Sequence, residues 1–143
     1  MVENNAEINA KDKDGMTALH YAAGYGQVEA IKVLVGPDAK TEATDKNGNT
    51  ALHVAAEKGY VEAIKVLVGP DAKTEATEKN GRTALHVAAE KGQVEAIKVL
   101  VGPDAKTEAT DKNGKTALHV AARYGKIEAT KILVEYGTNL NIR

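Results

Sequence analysis

One feature limits what this chain can fold into more than any other: a period of 33 residues that runs along almost its whole length. Gly15, Gly48, Gly81 and Gly114 stand one period apart, and Thr17, Thr50, Thr83 and Thr116 keep the same step. Leu19, Leu52, Leu85 and Leu118 follow it, and so do all of the histidines, His20, His53, His86 and His119. A fixed period in this size range marks stacked supersecondary units, none of which can bury its apolar face alone. The period divides the 143 residues into a partial unit at 1–11 and units at 12–44, 45–77, 78–110 and 111–143, read together as one domain.

The second unit predicts its own local structure. Asp45-Lys46-Asn47-Gly48 has turn chemistry, with glycine free to take the positive φ that such turns require. Thr50 is a good N-cap for a short helix over 51–58 that stops before Gly59. A second helix is predicted over 61–68, with Val61, Ile64, Leu67 and Val68 on one face and a Glu62–Lys65 pair on its polar side. Gly69-Pro70 ends it, because proline cannot continue a helix and biases its predecessor away from the α region. Helices this short are marginal in isolation. They need neighbours on both sides, which stacking provides.

The turn, the two helices and the period resemble the ankyrin repeat family. Its T-P-L-H-x-A signature is similar to Thr50-Ala51-Leu52-His53-Val54-Ala55, with alanine at the family's proline position. The stretch Gly59-Tyr60-Val61-Glu62-Ala63-Ile64-Lys65-Val66-Leu67-Val68 is similar to the family's second helix. The resemblance recurs in four units and implies an all-α solenoid of helix-turn-helix repeats joined by β-turn or hairpin loops. It also implies protein–protein recognition through a concave face of hairpin tips and first helices. Two departures stand out. The interior junctions read Gly-Pro-Asp-Ala-Lys-Thr-Glu-Ala-Thr, as at 69–77, and place polar Thr74 where the family has an apolar residue under the hairpin. Further, the 17 residues Val28 to Thr44 recur unchanged as Val61 to Thr77 and Val94 to Thr110. Such uniformity, with a start in mid-repeat, suggests an engineered or excised array.

Composition narrows the function classes. The 19 basic and 20 acidic side chains nearly cancel, and a net charge of −1 gives no field to draw nucleic acid or an anionic membrane. No apolar run is long enough to span a bilayer, and the N-terminus lacks a signal-peptide pattern, so a cytoplasmic location is expected. Cysteine and serine are both absent, which removes the common nucleophiles and thiolate metal sites. No enzyme activity and no cofactor are expected.

The histidine series could suggest a metal site. However, equivalent side chains on stacked helices sit about 8–10 Å apart, too far for two imidazoles to share an ion at about 2.1 Å from each. Thr50 and His53 instead occupy N-cap and N3, the positions of a capping box. The acidic loop residues Asp71, Glu75 and Glu78 lack the ligand alternation of a calcium loop, and Lys73 and Lys79 interleave with them.

What differs between units is surface. The turn exit holds Met16, Asn49, Arg82 and Lys115. The end of the first helix holds Gly24-Tyr25, Glu57-Lys58, Glu90-Lys91 and Arg123-Tyr124, and the corner holds Gln27, Tyr60, Gln93 and Lys126. The candidate partner-binding residues are therefore Met16, Tyr25, Asn49, Glu57, Lys58, Arg82, Glu90, Lys91, Lys115, Arg123 and Tyr124, for a protein partner. The competing reading, from a different class, is a repeat scaffold with no natural partner. The N-terminal end has no helix pair ahead of it. It is expected to expose parts of Leu19, Ala22, Ile31 and Leu34, and to be the weak, self-associating end. At the other end, Thr130 and a helix ending at Glu135-Tyr136-Gly137 suggest a partial cap.

Overall fold

The structure, a computed structural model, describes residues 5–36, 41–69, 74–102 and 107–141. Among these residues there are nine helices and no strand: α1 (Asn5–Ile8), α2 (Ala18–Gly24), α3 (Val28–Leu34), α4 (Ala51–Lys58), α5 (Val61–Val68), α6 (Ala84–Lys91), α7 (Val94–Val101), α8 (Ala117–Arg123) and α9 (Ile127–Asn141). The helices of the second unit match the sequence expectation at both ends. The first helices α2, α4, α6 and α8 pack in one row, and α3, α5, α7 and α9 pack in a second row beside it. The hydrophobic cluster runs through every layer, from Leu19 to Leu133.

Each first helix starts at a threonine with extended backbone, whose side chain accepts from the N3 histidine amide. The turn ahead of it is closed by Gly48 N–H donating to the Asp45 carbonyl at 2.9 Å. Layers also join directly through backbone: Lys46 N–H donates to Asp14 O, Lys79 to Asn47 O and Lys112 to Asn80 O, each at 3.0 Å. This approach explains the turn glycine. Gly48 has φ +84°, and a Cβ there would lie 2.9 Å from Lys79 N.

Every layer has two unlike faces. Toward the C-terminal side it presents leucine, histidine and isoleucine, the last replaced by Thr130 in the fourth layer; toward the N-terminal side it presents mainly alanine. Leu19, Leu52 and Leu85 are buried because a following layer covers them, whereas Leu118 is exposed. Conversely Ala51, Ala84 and Ala117 are buried under the preceding layer, and Ala18 is exposed.

This polarity corrects the expectation for the N-terminal end. Leu19, Ala22 and Ile31 are buried and Leu34 is half-buried, because α4 and α5 lie against α2 and α3. The residues of that layer whose side chains are instead exposed include Ala18, Tyr21, Ala30 and Val33. At the other end Leu118, Ile127 and Val134 are exposed. The expected helix ending at Gly137 is also corrected, since α9 continues to Asn141. Glycine is tolerated inside a helix at a cost of about 1 kcal/mol, and no proline follows Gly137 as Pro70 follows Gly69. Residues 70–73 of the Gly-Pro-Asp-Ala-Lys junction, with Asp71 and Lys73, lie outside the described residues, as do 1–4 of the partial unit. Of the junction threonines, Thr74 is half-buried and Thr107 buried.

Candidate protein-interaction surface

His20, His53 and His86 are joints between layers. Thr17 N–H donates to His20 Nδ1 at 3.1 Å, so that nitrogen carries the lone pair. The other nitrogen, Nε2, then holds the proton and donates to the Asn49 carbonyl of the next layer at 2.8 Å. His53 bridges in the same way to Arg82 O at 2.8 Å, and His86 to Lys115 O at 2.7 Å. With both ring nitrogens engaged, these side chains are committed to the fold, and burial pushes the His53 pKa below the usual imidazole value. No cluster of His, Asp and Glu suited to a metal occurs among the described residues.

This arrangement explains why the turn exit can vary. At Asn49, Arg82 and Lys115 the structure uses the carbonyl, accepting both from the histidine of the preceding layer and from the start of its own turn. The side chains are free to point elsewhere. The turn carboxylates are also committed: Asp45 accepts from the Asn47 and Asn49 amides at 2.8 and 2.9 Å, and Asp111 from Asn113 and Lys115 at the same distances. These bonds, first the one from Lys115 N–H, hold the Asp111 pKa below the usual carboxylate value.

Turns and first helices together line two adjoining grooves. The first, of about 270 Å³, is bounded by Asn49, Glu57, Glu78, Arg82, Glu90 and Lys91 over a floor of His53, Val54 and Val87. Arg82 and Glu90 form a half-buried ion pair across it. The second, of about 260 Å³, is bounded by Arg82, Lys112, Lys115, Arg123 and Tyr124, with Asp111 its one acidic residue. There the Arg123 guanidinium lies over the Tyr124 ring, 5.5 Å from its centroid.

Of the sequence-picked residues, Asn49, Glu57, Arg82, Glu90 and Lys91 meet in the first groove, and Arg82, Lys115, Arg123 and Tyr124 in the second. Met16, Tyr25 and Lys58 line neither. The apolar floor at Val54, Val87 and Val120 was missed, as were Glu78, Asp111 and Lys112. Comparison between units highlights what varies, and most of these positions are nearly uniform. The corner residues serve packing: Tyr60 lies over Gly26, Gln93 over Gly59 and Lys126 over Gly92.

A two-row helical stack tied layer to layer at its N-caps defines a repeat-solenoid protein. The family model for ankyrin repeats (3 copies) matches residues 1–78 and 69–143, and the chain belongs to the ankyrin repeat family. A search of curated proteins finds no match. Ankyrin repeats generally serve as protein–protein interaction modules and are typically non-enzymatic. No helix among the described residues is long and apolar enough to cross a membrane.

Proposed function

We propose that the chain binds a protein partner along the face formed by its turns and first helices, and that the second groove receives an acidic segment of that partner. The observation that carries this reading is the charge of that groove. Lys112, Lys115 and Arg123 line it against the single carboxylate of Asp111, with Arg82, paired to Glu90, at its edge, in a chain whose net charge is −1. Complementary charge steers encounter and fixes register, while Tyr124 and Arg123 are residue types that dominate binding energy at interfaces. Met16, Tyr25, Asn49, Glu57, Lys58, Glu90 and Lys91 extend the contact along the neighbouring units.

A second reading, a repeat scaffold without a natural partner, is favoured by the identical 17-residue stretches. Capture from cell lysate separates the two. Immobilised wild-type chain is expected to retain a specific protein that Arg82→Ala/Lys115→Ala/Arg123→Ala loses and Lys65→Ala/Lys98→Ala/Lys131→Ala keeps. Equal loss from both variants contradicts the proposed surface. No specific capture by any form favours the scaffold.

A further inference from the structure

We propose that copies of this chain stack end to end, the α8–α9 layer of one seating on the α2–α3 layer of the next and extending the solenoid across molecules. The two exposed ends are the two halves of an interface that each chain already makes three times internally. On the C-terminal side, Leu118 is 37% exposed where Leu19, Leu52 and Leu85 are at most 8%. Ala122 is likewise exposed, where Ala23, Ala56 and Ala89 are fully buried. On the N-terminal side, Ala30 is exposed where Ala63, Ala96 and Ala129 are buried, and Val33 is 80% exposed. The surface that covers leucine inside the chain is thus open at the N-terminal end, and the leucine surface itself is open at the C-terminal end.

The polar groups match in the same way. Interior histidines donate from Nε2 to the turn-exit carbonyl of the next layer, but among the described residues His119 Nε2 has no partner. The equivalent acceptor is Met16 O, which receives only Asp12 N–H here. The Asn113 carbonyl and Lys13 N–H are also left unbonded among the described residues, where the interior equivalents bond to each other across layers. Met16 and Lys13 of a second copy supply what His119 and Asn113 lack. Because the contact joins two different surfaces by the same step that relates internal layers, it does not close on itself and yields an open series.

Sedimentation of the full chain tests this with two end-blocking variants. Ala30→Arg and Ala122→Arg each place a long cation at a solvent-facing position whose interior equivalents have no room for it. Wild type is expected to gain average mass steadily with concentration, past twice the monomer mass. Each variant alone is expected to stay monomeric. An equimolar mixture is expected to form dimers and stop there, since each partner keeps one open end. Ala18→Glu and Leu118→Glu repeat the experiment with the opposite charge, and circular dichroism checks the fold of all four. Monomeric wild type throughout the concentration range overturns the proposal. So does dimerisation of Ala30→Arg by itself, which would mean that two C-terminal ends pair with each other.

Discussion

His53 does two things at once. It completes the cap of its own helix through Thr50, and it holds the Arg82 carbonyl of the following layer. His119 keeps the first role only, among the described residues. The two substitutions therefore separate the roles. His119→Ala is expected to cost about 1 kcal/mol for the cap. His53→Ala should cost about 1 kcal/mol more for the bridging hydrogen bond, with a further loss from its burial. Arg82 O keeps its bond from Glu78 N–H, so no carbonyl is orphaned. Denaturant titration of both variants checks the difference, and equal losses contradict a joining role. The same burial makes His53 sensitive to pH. Its folded pKa lies below the unfolded value of about 6.5. The unfolded chain then binds more protons as pH falls through that interval, so stability present above about pH 6.5 declines as pH falls. For one group the slope is at most about 1.4 kcal/mol per pH unit. Wild type is expected to lose more stability than His53→Ala between pH 7.5 and 5.5. Asp12 and Asp111 act at lower pH. Their carboxylates are held below the usual range, the first chiefly by the Tyr21 hydroxyl and the second chiefly by Lys115 N–H, so their contribution is lost in acid.

Among the elements, the turn glycines provide a paired comparison. Gly48 and Gly114 share the same left-handed backbone, with φ of +84° and +79°. Only Gly48 faces a following layer, where a Cβ would meet Lys79 N at 2.9 Å; at Gly114 it would meet nothing within 4 Å. Replacing either with alanine should carry the left-handed penalty of about 1–2 kcal/mol. Gly48→Ala should lose at least about 1 kcal/mol beyond that, because backbone must move. Thermal unfolding of both variants checks it, and matching losses contradict the close layer contact. Much at this scale was legible in the sequence: the turn, both helices, the Thr50 cap and the Glu62–Lys65 pair, which closes at 3.3 Å. These depend on neighbours a few residues away, where residue type carries the information. The histidine's second partner was not legible, because it is a backbone carbonyl 29 residues distant with no side-chain signature. Nor was the direction each layer faces. Hydrophobic spacing marks Leu19 and Ile31 as inward, but units this uniform carry no difference telling which neighbour covers them. The extension of α9 through Gly137 was missed because glycine marks helix ends only where its neighbours also stop the helix, as Pro70 does beside Gly69.

At the scale of the whole molecule, the stack separates two tasks. Backbone, alanine, leucine and histidine hold layer to layer, which leaves the side chains on the turns and first helices free for recognition. Uneven use of that freedom makes the fourth unit cationic within a nearly neutral chain, with Arg82 of the third unit on the rim of its groove. Amide-resolved NMR titration with an octaglutamate peptide at low salt tests this account most directly. The largest shifts are expected at Arg82, Lys112, Lys115, Arg123 and Tyr124, weakening as salt screens the charges. Shifts concentrated at Lys65, Lys98 and Lys131 on the second-helix row, or no shifts at all, would contradict it.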